Sequence, residues 1–369
     1  MKDYAVDLLK DMVSIYSPSG NEEKTANFLY REMDGLGFEV RKDDVGNVVG
    51  EIGEGSPTIM LCGHMDTVPG YLPVKLENNT LYGRGAVDAK GSLAAMVAAV
   101  STLNNQDLKN KILVCGVVDE EGANTGIKNL VKKGLTADYA IFGEPSGIER
   151  LVIGYKGDIC LKITCKTEAG HSAASWLFEN AIEKVFEVWE IIKNLHLPEE
   201  KPESRFYSLT SCLTKIEGGE GYTVVPSECD IHLDFRIPPQ FTCSQIINQI
   251  QNLVQNYQND NPDVEINLEV KGQVPPFESK KDSPLILSLA RAIRKVRHRP
   301  VTLLRKTGSG DMNIFGNATG IPVVTYGPGD SSLDHTSREH IDLQEYQESV
   351  RVYRETINKL TTYPQWVNK

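Results

Sequence analysis

Residues Pro57–Pro69 read Pro-Thr-Ile-Met-Leu-Cys62-Gly63-His64-Met65-Asp66-Thr67-Val68-Pro69. The apolar run Pro57–Cys62 reads as a strand that ends in Gly-His-x-Asp. Ligands of open α/β sheets bind beyond the carboxyl ends of such strands. His64 stands at that place. Asp66, two residues on, is able to hold its ring through the second nitrogen, as in carboxylate–histidine–metal sites. Taken alone, His-x-Asp fits a loop histidine beside a capping aspartate better than a ligand pair.

The same alternation continues on both sides of this stretch. Strands are expected at 46–52, 57–62, 111–118 and 139–143, and helices at 21–35, 89–103 and 126–133. Asn21 is placed to cap the first helix, with Glu22 and Glu23 in its opening turn. Strands alternating with helices indicate a layered α/β domain. Beyond Gly154 the period changes: Ile159, Leu161, Ile163 and Cys165 alternate with Cys160, Lys162 and Thr164. A helix at 177–195, strands near 207–216 and 222–236, a helix near 243–257 and a strand near 264–270 follow. That order, β-α-β-β-α-β, is the split-βαβ unit. The Pro198–Pro202 loop and the Gln/Asn-rich 245–259 segment read as surface. After Gly272 the α/β character returns, with helices at 283–296 and 343–360 and strands at 301–304 and 323–326. The expected organisation is a discontinuous domain, 1–155 plus 272–369, interrupted by a smaller domain, 156–271.

Composition narrows the function classes. The chain has 369 residues, 40% hydrophobic and 24% charged, which fits a folded protein of two to three domains. A net charge of −11 argues against general nucleic-acid binding. The longest pure apolar run, Leu93–Val100, is far below the ~20 residues of a bilayer span, and the opening Met1-Lys2-Asp3-Tyr4 lacks a secretory pattern. No membrane association and a cytoplasmic location are therefore expected. The seven cysteines include no CxxC pair and sit mostly in apolar runs, so neither a disulfide framework nor a Cys-bound metal is indicated.

Further acids and a second histidine recur after strands. Asp88 stands in Gly83–Gly91 before the Ala-rich helix, where N-capping is its simplest role. The strand at 111–118 runs into Asp119-Glu120-Glu121-Gly122, three acids whose mutual repulsion solvation or a metal ion would relieve. The strand at 139–143 runs into Glu144-Pro145, and His335 lies in Leu333-Asp334-His335-Thr336. Two histidines and three carboxylates suit a pair of zinc-like ions, one carboxylate bridging and a further one acting as base.

Six motifs, Gly63–Pro69, Gly83–Gly91, Asp119–Gly122, Gly143–Pro145, Gly170–Ala173 and His335-Thr336, occur in one order over nearly the whole chain. Together they strongly resemble the acetylornithine deacetylase / succinyl-diaminopimelate desuccinylase / carboxypeptidase G family of di-zinc amidohydrolases. The resemblance implies an α/β, di-zinc aminopeptidase-like catalytic domain with an inserted ferredoxin-like lid that also dimerises the protein. It implies two zinc ions (or cobalt) on His64, Asp88, Glu121, Glu144 and His335, with Asp88 bridging and Asp66 orienting His64. Glu120 is then the general base. His171 stabilises the oxyanion from the partner subunit of a homodimer, and Arg236 contacts a substrate carboxylate. Outside the family, His171 reads as a polar loop residue and Arg236 as a salt-bridged strand end. Thr223 replaces an asparagine common in the family, keeping a hydroxyl but losing an amide.

Within the family, Leu61–Gly91, Gly154–Gly157, Lys306–Asn313 and Tyr326–Asp330 look most like the enzymes that release lysine or ornithine from the acidic amino-group carrier protein LysW. That likeness makes LysW the expected partner and Gly308 and Ser309 further substrate contacts. Residues 291–306 carry seven Lys/Arg and no acid, an island suited to steering an acidic carrier or simply to a solvated helix face. The alternatives are deacylation of free N-acetylornithine or N-succinyl-diaminopimelate, a broad dipeptidase, and an inactive carrier-binding scaffold.

Overall fold

A computed structural model of the chain describes residues 2–103, 108–198, 201 and 203–362. Of the Pro198–Pro202 loop, residues 199, 200 and 202 lie outside the described residues. The chain divides into two compact units: Met1–Gly154 with Ser279–Arg305 and Gly310–Lys369, and Tyr155–Glu278 with Lys306–Ser309. The second boundary falls later than 271 because the strand Glu265–Val274 continues the inserted sheet past that point.

The first unit is built on a mixed sheet. Its strands run in the order Glu39–Lys42, Val48–Ile52, Lys111–Val117, Thr58–His64, Tyr139–Phe142, Val323–Thr325 and Arg150–Tyr155. Lys111–Val117, Thr58–His64, Tyr139–Phe142 and Val323–Thr325 are parallel neighbours. His64 lies opposite Val117 and Cys62 opposite Phe142, so these strands end along one sheet edge. The helix Lys90–Ser101 is apolar all round and buried from Lys90 to Val100, as expected of a helix enclosed by other elements. It packs on Thr58–His64 and between the helices Lys2–Ser14 and Leu343–Thr362. Close approach at the strand end depends on Gly143, where a Cβ would lie 2.9 Å from Met96 and Ser92 side-chain atoms.

Several local expectations shift. Glu22, not Asn21, is the N-cap of Glu23–Gly35, and no side chain caps that helix. Instead the Glu22 carboxylate accepts N–H groups from Gly20 and Asp119. The helices Lys2–Ser14 and Asp311–Thr319 and the hairpin Lys75–Glu77 with Thr80–Tyr82 are additions to the expected elements, although Ala5, Leu8, Leu9, Met12 and Val13, all buried, recur at helical spacing in the first.

The second unit is a four-stranded antiparallel sheet ordered Thr210–Gly218, Glu228–Ile237, Gly157–Lys166 and Glu265–Val274. With the helices Ala181–Lys193 and Cys243–Asp260 it is a ferredoxin-like β-α-β-β-α-β unit. Glu228–Ile237 alternates buried and half-buried residues, as a strand with one covered face must. The helix expected at 177–195 begins only after Asn180, whose side chain caps it, and residues 172–177 form a 3-10 turn. All seven cysteines are free; Cys160 and Cys212 are exposed and the others buried.

Candidate metal centre and substrate-binding residues

The parallel register delivers the site. His64 ends one strand, Glu120 and Glu121 follow the strand ending at Val117, and Glu144 follows the strand ending at Phe142. The His64 ring is buried. Its Nδ1 lies 2.9 Å from the main-chain oxygen of Asp66, an acceptor only, so Nδ1 carries the proton and Nε2 faces the carboxylates. Nε2 is 3.2 Å from Asp88 Oδ1 and 3.5 Å from Glu144 Oε1. The other oxygen of Asp88, Oδ2, is 3.0 Å from His335 Nε2, which also lies 2.9 Å from Glu121 Oε1. Asp88 thus presents one oxygen to each histidine, the disposition a bridging ligand needs. Ligand atoms of His64, Asp88 and Glu121, and of His64, Glu120 and Glu144, fall within 4.8 Å of one another.

The electrostatics fit a cation-binding centre. Burial and the neighbouring charge of Asp88 push Glu121 up to about 7. Burial, with Asp311 and other acids nearby, raises Glu120 well above the carboxylate range. The Asp88 hydrogen bond raises His335 to about 9, against its partial burial. Four carboxylates crowded around two imidazoles are a donor set short of positive charge, which divalent ions would supply.

Asp66 sits 3.5 Å from His64 Nδ1 through its carboxylate, but its shorter bonds lie elsewhere. Oδ1 and Oδ2 accept the amides of Glu120 and Glu121, each at 3.1 Å, and Oδ2 accepts the Ser19 hydroxyl at 2.7 Å. Asp66 therefore holds the acidic loop, while its own carbonyl sets the His64 tautomer. Gly122 belongs to that loop because a Cβ there would lie 2.1 Å from Asp119 Oδ1.

The sequence reading missed Asp311. It is buried, and burial pushes it up to about 7. Asn124 Nδ2 donates both to Asp311 Oδ1 and to the main-chain oxygen of Glu120, each at 3.1 Å. Its only signal was its place in Lys306–Asn313. In the basic island, Arg297 pairs with Glu149 and Glu348, Lys295 with Glu355 and Arg299 with Glu149. Acids distant in sequence thus neutralise part of an island that looked uniformly positive.

The remaining candidates lie in the second unit. His171 is exposed at the end of the short strand Gly170–His171, which pairs with Val224–Val225. Its Nδ1 accepts the Ala173 amide at 3.0 Å, which leaves Nε2 as a hydrogen-bond donor. Thr223 braces the same loop by accepting the Ser172 amide on its carbonyl at 3.0 Å. Elsewhere in the unit Arg236 Nε donates to Asp234 at 3.0 Å and Nη1 to Ser309 Oγ at 3.5 Å. Ser309 in turn donates to Asp158 at 2.6 Å, and Gly308 stands in open space.

A mixed α/β sheet whose parallel strands end at one histidine and three carboxylates, completed by Asp88 and His335 from two loops, in a chain with an inserted ferredoxin-like unit, is the arrangement of a metal-dependent hydrolase. The chain belongs to peptidase family M20/M25/M40, whose model matches residues 60–359. It is 36% identical over 364 residues to a Saccharolobus islandicus protein named [LysW]-lysine/[LysW]-ornithine hydrolase, covering 98% of this chain and 97% of that one. Its fold matches the aminopeptidase PepT of Bacillus cereus with a TM-score of 0.83 at 19% identity, over 98% of this chain and 99% of that one. It also matches a dinuclear metal-binding M20 peptidase of Bacillus subtilis with a TM-score of 0.73 at 12% identity, over 96% and 97% of the two chains. Among the described residues no helix is long and apolar enough to cross a membrane.

Proposed function

We propose that this chain releases lysine or ornithine from the carrier protein LysW by hydrolysing the amide to the carrier's C-terminal glutamate side chain. The observation that carries this reading is the 36% identity, over nearly the full length of both chains, to a protein named for that reaction. Two zinc or cobalt ions would be held by His64, Asp88, Glu121, Glu144 and His335, with Asp88 shared between them. When bound, such a pair polarises a carbonyl and acidifies a water molecule. Glu120 accepts the proton of the attacking water and returns it to the leaving amine, acting as base and then as acid. The half-buried setting of Glu120 and the brace through Asn124 support that role. His171 donates its Nε2 proton to the oxyanion from the partner of a homodimer, the inserted unit serving as lid and dimerisation domain. Arg236, with Thr223, Gly308 and Ser309, binds the substrate's carboxylate end. The setting is the cytoplasm.

The test is turnover of LysW-lysine, LysW-ornithine, N-acetylornithine and N-succinyl-diaminopimelate by the purified protein, with and without added zinc. Metal-dependent release from the carrier conjugates in preference to the free acyl amino acids is expected. Efficient turnover of a free acyl amino acid alone would replace the carrier reading, and no turnover of any substrate would favour a binding scaffold.

A further inference from the structure

Between the hairpin strand Thr80–Tyr82 and the helix Lys90–Ser101 runs a loop with no regular secondary structure of its own, and it carries Asp88. His335 stands, at φ +63°, in another irregular segment, just before the short strand His340–Asp342. Neither segment has a helix or ladder to hold its ligand side chain. Glu339 joins them, beside the ladder in which His340–Asp342 pairs with Thr80–Tyr82. The Glu339 carboxylate is completely buried. Its Oε1 accepts three main-chain amides, from Gly85 at 2.9 Å, Val87 at 3.0 Å and Asp88 at 3.1 Å. Its Oε2 accepts Arg84 Nη1 at 2.8 Å, and its main-chain oxygen accepts the Gly83 amide at 3.3 Å. Arg84 continues the chain by donating Nε to the Gly70 carbonyl at 3.0 Å.

We propose that Glu339 is a positioning residue: it clamps the Asp88 loop to the His335 segment and thereby sets how tightly the centre holds its metal ions. The clamp rests on the assignment of Asp88 and His335 as ligands. A buried carboxylate taking three amides and a guanidinium is a strong, directional anchor. Asp88 Oδ2 and His335 Nε2 stand 3.0 Å apart, and Glu339 bonds the backbone amide of the first while lying four residues from the second. Cutting the carboxylate back to a methyl leaves three buried amides and Arg84 without their partner, and the two ligand segments lose their side-chain tether while the neighbouring ladder remains. Outer supports of metal ligands typically govern affinity by about 10–100-fold.

The experiment titrates metal-depleted wild type, E339A and E339Q with Co2+, following the visible absorption of the bound ion and the heat of binding. Circular dichroism and urea unfolding give the folded fraction used to normalise each titration. In folded E339A the affinity for at least one Co2+ is expected to fall by about 10-fold or more, with an altered absorption spectrum. E339Q keeps an oxygen for the amides but turns an amide nitrogen toward Arg84, so its loss is expected to be smaller. Should E339A fail to fold, E339Q carries the test through its weakened binding. Co2+ affinities and spectra within two-fold of wild type, in E339A or, failing that, in E339Q, would overturn the clamp even where the variant is less stable. Wild type that binds no Co2+ would overturn the ligand assignment itself, and the clamp with it.

Discussion

Asp66→Asn isolates a single carboxylate that anchors the acidic loop. Asp66 is fully buried and accepts two amides and the Ser19 hydroxyl. Burial works against its charge, but His64, Ser19 and the Glu121 amide outweigh it and hold the carboxyl at about 2, against the usual 3.8. At about 1.4 kcal/mol per pH unit, that difference favours the folded state by about 2.5 kcal/mol when the group is ionised. Because the folded value is the lower one, this contribution is fully present above pH 3.8 and is lost as pH falls through about 2. Asn fills nearly the same volume but offers one acceptor where two amides must be met. The metal-depleted variant should therefore be about 2–3 kcal/mol less stable than wild type near neutrality in urea unfolding. That gap should hold down to about pH 4.5 and narrow below it. A gap under about 0.5 kcal/mol near neutrality, or one that stays constant from pH 5 down to the acid transition, would refute the reasoning.

Glu120→Gln should keep its metal content and lose turnover by about 10²–10⁴-fold, as measured by metal analysis beside steady-state kinetics; near wild-type turnover would remove Glu120 as the base. Gly116→Ala should destabilise the first unit by about 1–3 kcal/mol in thermal unfolding, because its Cβ would lie 2.3 Å from Leu29 Cδ2; an unchanged melting temperature would contradict the packing. Arg294→Glu probes carrier steering without breaking the ion pairs that hold Arg297 and Lys295. It should raise KM for a LysW conjugate at low salt and leave KM for N-acetylornithine unchanged; equal effects on both, or none on either, would count against steering.

What the sequence determined by itself is the part governed by short range. Apolar runs that stop at a polar residue locate strand ends, and His64, Glu120, Glu121 and Glu144 each follow such a run, so these candidate site residues were legible before any pairing was known. Alternation at 159–165 and 229–236 likewise revealed the inserted β-α-β-β-α-β unit. The capping of Glu23–Gly35 was misread because Glu22 is drawn to the amide of Asp119, far along the chain, and not to its own helix. The parallel register that aligns His64 with Val117, and the bonds from Glu339 to Arg84 across 255 positions, belong to the tertiary structure alone. So do the Asn124 bridge to Asp311 and the acids that neutralise Arg297. Periodicity and propensity act over a few residues, whereas which strand lies beside which, and which buried carboxylate meets which amide, is settled only when the whole core closes.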